Sequence, residues 1–200
     1  MTNGLLAIAI AYLLGSIPFG YLLTRFTTGE DVRARGSGNI GATNVARAAG
    51  ARVGIATLAL DAAKGALAVW LADLMTGGSA GWMADAALAV MAGHAFPMFL
   101  GFKGGKTVAT FAGAFGYFMP LPLLATAAVF VMAVAATHYV SVGSMLGAMM
   151  FPLGAWIILH PSLAEMLVAI LACGFIVYRH KENIVRIRAG TETQFRWSGS

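Results

Sequence analysis

The sequence predicts an all-α membrane protein: a polytopic bundle of seven transmembrane helices, one integral-membrane domain over residues 1–200, with the N-terminus outside and the C-terminus cytoplasmic. Three observations carry that expectation. The hydrophobic fraction is 59% and the charged fraction 10%, against roughly 25% charged in a typical soluble domain. Apolar runs of crossing length recur along the chain. The 13 Lys and Arg residues fall in three clusters, Arg25 to Arg52, Lys103 with Lys106, and Arg179 to Arg196, plus the isolated Lys64.

A crossing helix needs about 20 apolar residues. Suitable runs lie near 4–24, 53–73, 82–100, 107–119, 121–137, 140–159 and 163–178. The first, opening MTNGLLAIAIAYLL, has no basic leader and no clear cleavage site, so it is expected to be a retained span. The fourth is short, and Pro120 and Pro122 mark a tight turn before the fifth. With seven spans and an outside N-terminus, 25–52, 101–107 and the tail after 178 all face the cytoplasm. The opposite loops, 74–81, 120–122 and 160–162, carry no Lys or Arg. Asp73, Asp85 and Glu165 fall near the outer ends, while the uncharged link at 137–140 gives no vote. No soluble domain, low-complexity linker or internal repeat is visible.

The net charge of +5 is not a nucleic-acid signal, because the basic residues alternate with spanning runs. It suits anionic lipid heads and anionic substrates. A single cysteine, Cys173, excludes an intrachain disulfide and a cysteine metal site. The closing Ser-Gly-Ser has the composition of an expression remnant.

Three polar segments stand on the predicted inner face. In RARGSGNIGATNVARAAG (33–50), closely spaced glycines let backbone N–H groups curl round an anion. Ser37, Asn39, Thr43 and Asn44 add side-chain hydrogen bonds, Arg47 can grip a phosphate through two nitrogens, and a helix starting near Thr43 would add a partial positive charge. In GHAFPMFLGFKGGKTVAT (93–110), Gly104 and Gly105 lie between Lys103 and Lys106, just before the next span. The spacing is not that of a Walker A loop, but amides and a lysine beside a helix start are the same physics. His94 sits inside a span, where a histidine is a functional candidate or a hydrogen-bonded packing residue. In HKENIVRIRAGTETQ (180–194), His180 and Asn183 share a helix face and could hold a hydroxyl, with His180 able to take a proton. Each segment also has a plainer reading: a glycine-rich loop, lysines anchoring helix ends, a solvated basic tail with Glu192 paired to its neighbours. Asp61 and Lys64, three apart in the second span, read first as a structural ion pair.

Taken together, SGNIGATN, GHAFPMFLGFKGGK and HKENIVRI with a downstream GTE resemble the three motifs, in order, of the bacterial membrane acyl-phosphate:glycerol-3-phosphate acyltransferases (PlsY). The resemblance covers nearly the whole chain. It implies acyl transfer from acyl phosphate to the 1-hydroxyl of glycerol 3-phosphate, giving a lysophosphatidic acid and phosphate, the first acylation of phospholipid synthesis in the bacterial inner membrane. It implies no cofactor, no metal and no acyl-CoA. The expected partners are the two substrates, membrane lipid and the enzyme that produces acyl phosphate, with no nucleic acid. By resemblance the family's important residues fall on Ser37 and Arg47, on Gly104, Gly105 and Lys106, and on His180, Asn183 and Glu192. Thr107 departs from the pattern, since a further glycine is common there.

An acyl phosphate is a mixed anhydride with a good leaving group, so positioning and preorganised cationic donors can supply much of the catalysis. Arg47, Lys106 and the first loop's polar groups are assigned to phosphate, with Ser37 and the glycine amides also serving the oxyanion. His180 and Asn183 are assigned to the acceptor hydroxyl. No histidine has Asp five residues on, the spacing of many other glycerolipid acyltransferases. The rival readings are a small organic-anion transporter, which would call for charges deep in several spans and an internal repeat, and a non-catalytic lipid-binding protein, which leaves the three segments unexplained.

Overall fold

A computed structural model describes residues 1–195; Arg196, Trp197 and the Ser-Gly-Ser end lie outside the described residues. Among the described residues every regular element is helical: α1 (Thr2–Ser16), α2 (Phe19–Thr28), α3 (Ala42–Ala49), α4 (Ala51–Thr76), α5 (Ala80–Ala95), α6 (Val108–Phe118), α7 (Pro120–Thr137), α8 (Val140–Leu159), α9 (Leu163–Arg179) and α10 (Lys181–Arg188), with short 3-10 turns at Val32–Ala34 and Met98–Leu100. The chain divides into two compact units, Met1–Phe118 and Met119–Ser200.

Five segments are long and apolar enough to cross a bilayer, counting α1 and α2 together; α9 with α10, bent by 51° at their junction, makes a sixth. The short α6 has 11 residues, about 16 Å at 1.5 Å per residue, roughly half of a 30 Å hydrocarbon core.

Prolines explain where the elements differ from the apolar runs. The first run breaks between Ser16 and Phe19, because Pro18 has no N–H and its ring opposes the carbonyl four residues back. The break expected at Pro120 and Pro122 is one residue long: Met119 alone links α6 to α7, and both prolines lie in the first turn of α7 rather than in the link. A helix start needs no N–H from its first residues and favours the fixed proline φ.

In the first unit, α4 packs against α1, α3, α5 and α6. Glycine sets the close α4–α6 approach: a Cβ on Gly65 would meet the Thr110 carbonyl, and one on Gly113 the Ala62 carbonyl. This holds the start of α6 beside the polar turn of α4 that carries Asp61 and Lys64. In the second unit, α8 lies between α7 and α9, and α10 follows the last turn of α9. Ser162 and Glu165 form a reciprocal capping box at the start of α9, which gives Glu165 a structural purpose.

Candidate active site

The first polar segment is organised by one buried amide. Asn44, in the first turn of α3 and 3% exposed, accepts from the Ser37 N–H at 2.9 Å and donates to the carbonyls of Val32, Arg35 and Asn39 at 3.2, 3.0 and 2.9 Å. Asn39 turns the chain into α3 by accepting from the Gly41 N–H at 2.8 Å. Gly36 is needed because its φ is +54° and an added Cβ would meet Asn44 Oδ1. Asn44 and Asn39 therefore shape the loop from within, while Thr43 lies exposed on α3.

Charges in this loop are unequally paired. Arg33 grips Asp31 and Arg35 grips Glu30, each through two nitrogens, with shortest contacts of 2.7 and 2.6 Å. Those hydrogen bonds hold both carboxyls below the usual carboxylate range. Among the described residues, neither the Arg47 guanidinium nor the Ser37 hydroxyl has a hydrogen-bond or ion-pair partner. Arg47 instead lines a cleft of about 450 Å³ with Thr28, Glu30, Arg35, Gly36 and Ala48. An exposed guanidinium without a counter-ion can pair with an anion through two nitrogens.

The glycine loop of the second segment doubles back on the end of α5. Gly104 N–H donates to the Ala95 carbonyl at 3.1 Å and Gly105 N–H to the His94 carbonyl at 3.0 Å. A Cβ on Gly105 would run into the His94 ring, and one on Gly104 into the carbonyls of His94 and Ala95 and the Pro97 ring. The two glycines therefore permit the close approach that places Lys106 at the start of α6. Thr107 has φ +65°, a conformation natural to glycine and costly for a β-branched side chain. Its carbonyl begins α6 by accepting from Phe111 N–H at 2.7 Å. Its buried hydroxyl, which in an ordinary cap would satisfy the helix start, makes no hydrogen bond.

Asp61, Lys64 and His94 come together behind this loop. Lys64 Nζ lies 2.8 Å from Asp61 Oδ1 and 3.0 Å from His94 Nδ1, and donates to the Ile17 carbonyl at 2.8 Å. That carbonyl is freed by the Pro18 break. The sequence pairs Asp61 with Lys64 through their spacing; it holds no signal for His94 or Ile17 as their neighbours.

In the second unit, His180 ends α9 and precedes α10, and it is 2% exposed. Its Nδ1 is 2.8 Å from the Ile176 carbonyl. A carbonyl only accepts, so Nδ1 carries the proton and Nε2 is the basic nitrogen of the neutral ring. One turn on, Asn183 donates to Glu192 Oε1 at 2.6 Å, which fixes the orientation of its amide. Its Oδ1, buried, has no hydrogen-bond partner among the described residues. Glu192 also accepts from Ser141 on α8 at 2.8 Å and from Arg186 at 2.7 Å. Burial pushes the Glu192 carboxyl up, but the bonds from Asn183, Arg186 and Ser141, with the Arg186 charge, outweigh it and keep it below the ordinary glutamate range. Ser141 is the neighbour of Glu192 that the sequence does not reveal, being 51 residues away from it.

Likenesses of three kinds bear on these residues. A family model described as glycerol-3-phosphate acyltransferase matches residues 5–190. The chain is 46% identical over 197 residues to a glycerol-3-phosphate acyltransferase of Geobacter sulfurreducens, covering 98% of this chain and 100% of that one. It is 43% identical to that of Agrobacterium fabrum, covering 97% and 93%. Among solved structures it resembles the integral membrane glycerol 3-phosphate acyltransferase PlsY in its glycerol 3-phosphate form, with a TM-score of 0.91, 36% identity and 96% of each chain covered. The lysophosphatidic acid form of PlsY aligns with a TM-score of 0.86 at 35% identity, covering 96% of this chain and 95% of that one. The chain belongs to the glycerol-3-phosphate acyltransferase family.

Proposed function

We propose that this protein transfers the acyl group of an acyl phosphate to the 1-hydroxyl of glycerol 3-phosphate, at the cytoplasmic face of the bacterial inner membrane. The products are 1-acyl-glycerol 3-phosphate and inorganic phosphate. The observation that carries this reading is Arg47: a guanidinium with no protein counter-ion, lining a cleft in a loop whose other arginines, Arg33 and Arg35, are paired. A phosphate monoester supplies the missing charge and a matching pair of oxygens. The glycerol 3-phosphate and lysophosphatidic acid forms of the solved relative PlsY support the same chemistry.

The geometry supports the following residue roles. Arg47, with Ser37 and Thr43, binds phosphate; Asn39 and Asn44 hold their loop in shape. Lys106 supplies a cationic donor beside the start of α6, while Gly104 and Gly105, expected from the sequence to offer amides to the anion, spend their N–H groups on the Ala95 and His94 carbonyls and so hold the loop against α5. His180 Nε2 and the unpartnered Asn183 Oδ1 are two acceptors, one for each of the two hydroxyls of glycerol 3-phosphate, and so orient it, with Glu192 fixing the Asn183 amide. The 1-hydroxyl oxygen attacks the acyl carbonyl carbon, and the new C–O bond forms as negative charge moves to the carbonyl oxygen. Collapse breaks the acyl C–O bond to phosphorus, and the leaving phosphate takes the hydroxyl proton. No covalent acyl-enzyme and no cofactor are required. The enzyme that makes acyl phosphate is the natural partner.

The topology that goes with this reading has seven membrane segments in one domain (4–24, 53–73, 82–100, 107–119, 121–137, 140–159 and 163–178), the short α6 among them, with the N-terminus outside. It is supported by the basic residues at 25–52, 103–106 and 179–188. In a Cys173→Ala background, a membrane-impermeant thiol reagent applied from outside should label Ser79→Cys but not Thr191→Cys; the reverse pattern would overturn the orientation.

The reaction is tested by phosphate release from a long-chain acyl phosphate by detergent-purified protein. Release that depends on glycerol 3-phosphate, matched by lysophosphatidic acid formed, is expected. Release independent of glycerol 3-phosphate, or equal turnover with acyl-CoA, would defeat the proposal.

A further inference from the structure

We propose that Asp61 and Lys64 are positioning residues: they fix His94 as the neutral tautomer protonated on Nε2, and through that ring hold the glycine loop that precedes Lys106. Inferring an effect on turnover rests on the acyl-transfer reading above; inferring the tautomer does not. Asp61, Lys64 and His94 are 2%, 3% and 3% exposed, in the middle of one span and at the end of another. Charged groups are costly there and usually persist for a function.

The ammonium fixes the proton. It has three N–H donors and no lone pair. Lys64 Nζ donates to the Ile17 carbonyl at 2.8 Å and is hydrogen-bonded to His94 Nδ1 at 3.0 Å, and it is ion-paired at 2.8 Å with Asp61 Oδ1, which makes no hydrogen bond. An ammonium cannot accept, so in the bond to His94 the ring nitrogen accepts: Nδ1 carries a lone pair and the ring proton sits on Nε2. A protonated, cationic ring would turn an N–H toward the ammonium and leave the buried trio with a net charge. Asp61 balances the ammonium, while its Oδ1 stays 3.5 Å from His94 Nδ1.

Fixing Nε2–H matters because of what lies against it. Nε2 is the atom that a Cβ on Gly105 would meet first. The backbone of the same histidine accepts from Gly105 N–H. Ring and carbonyl of His94 thus face one residue of the loop from two directions. A ring free to flip or to switch tautomer would present a lone pair to that loop instead of an N–H. The Asp61–Lys64 pair is therefore more than an ion pair that stabilises two helices: it sets the surface on which the anion-binding loop rests.

Replacing both partners with apolar residues of similar volume, Asp61→Leu with Lys64→Met, separates the two possibilities. Removing a buried pair as a unit is often close to neutral for stability, whereas removing one partner is not. A merely structural pair predicts that this double variant keeps both its melting temperature and its kcat/KM for glycerol 3-phosphate. A positioning pair predicts a near-normal melting temperature with kcat/KM down by about tenfold to a hundredfold, the scale on which misplacing a binding group by about 1 Å acts. Wild-type kcat/KM in the folded double variant would overturn the proposal. Should that variant not fold, the tautomer decides. In 15N-histidine-labelled wild-type protein, with the His94 signals identified by their loss in His94→Gln, Nδ1 should resonate as an unprotonated nitrogen and Nε2 as a protonated one. A protonated Nδ1 would overturn the proposal whatever reaction the protein catalyses, and wild-type protein that transfers no acyl group would defeat only the acyl-transfer reading.

Discussion

His94 in the first unit and His180 in the second are both buried imidazoles at helix ends, 3% and 2% exposed, and their neighbours place the proton on opposite nitrogens. His180 Nδ1 meets a carbonyl, which forces an N–H there and leaves Nε2 basic. His94 Nδ1 meets a lysine ammonium already engaged with a carboxylate and a carbonyl, which forces a lone pair there and puts the N–H on Nε2. The same side chain serves two purposes. One ring supplies an acceptor suited to a substrate hydroxyl; the other supplies a donor against a backbone loop. The surroundings differ in kind as well. His94 is held by a charged pair inside the membrane, whereas His180 stands one turn from an amide oriented by a carboxylate, Asn183 by Glu192. A helix face shows which residues are neighbours; only the third partner decides which atom donates.

If the second region orients the acceptor hydroxyl and the first holds phosphate, substitutions in the two should fail differently. The largest effect should come from Asn183→Ala, which removes a hydroxyl-orienting oxygen and the group that Glu192 holds. A loss of about a hundredfold in kcat is expected, the scale of misoriented reactants, measured by steady-state acyl transfer. Arg47→Ala should lower kcat/KM for glycerol 3-phosphate by roughly 10- to 150-fold, from about 1.5–3 kcal/mol for a lost charge-assisted contact. Arg47→Lys should restore only part of it, since the planar fork is gone. Melting temperature should change little, because Arg47 is exposed.

Glu192→Gln gives a smaller loss, about 2- to 10-fold in kcat/KM, because one side-chain oxygen remains for the Asn183 amide while the charge that strengthens that bond and pairs with Arg186 is gone. It also gives a pH signature. The folded-state Glu192 carboxyl lies below its ordinary range, so its contribution to stability is fully present above the ordinary glutamate range and is lost as pH falls through the lower folded value. The acid limb of thermal stability should be steeper in wild type than in Glu192→Gln. Thr107→Gly should move stability least, by no more than about 1 kcal/mol. Relief of roughly 1–2 kcal/mol of left-handed strain opposes the loss of about 0.8 kcal/mol per buried methyl-sized group.

Much of this was legible in the chain, for identifiable reasons. Hydropathy locates the long helices because a bilayer sets one length scale. The motif strings locate Arg47, Lys106, His180 and Asn183 because each polar segment interrupts apolar sequence. Asp61 and Lys64 are readable as a pair because three residues bring them to one helix face. What was not legible depends on distant partners. The contact of Lys64 with the Ile17 carbonyl, 47 residues earlier, follows from Pro18 breaking a helix there. Ser141 reaches Glu192 from another helix. Asn44 and Asn39, polar residues in an anion-binding type of loop, look like ligands in sequence, yet their hydrogen bonds run to the loop's own backbone. Prolines at 120 and 122 look like a turn, and start a helix.

The most direct test of the division of labour is equilibrium binding of labelled glycerol 3-phosphate to the Asn183→Ala variant, set beside its turnover. Phosphate held by the first unit's arginine should keep the dissociation constant within about fivefold of wild type, the worth of one hydrogen bond of about 1 kcal/mol, while kcat falls about a hundredfold. Binding lost in proportion to turnover would contradict it, and would make Asn183 a principal anchor of the substrate rather than the group that aims its hydroxyl.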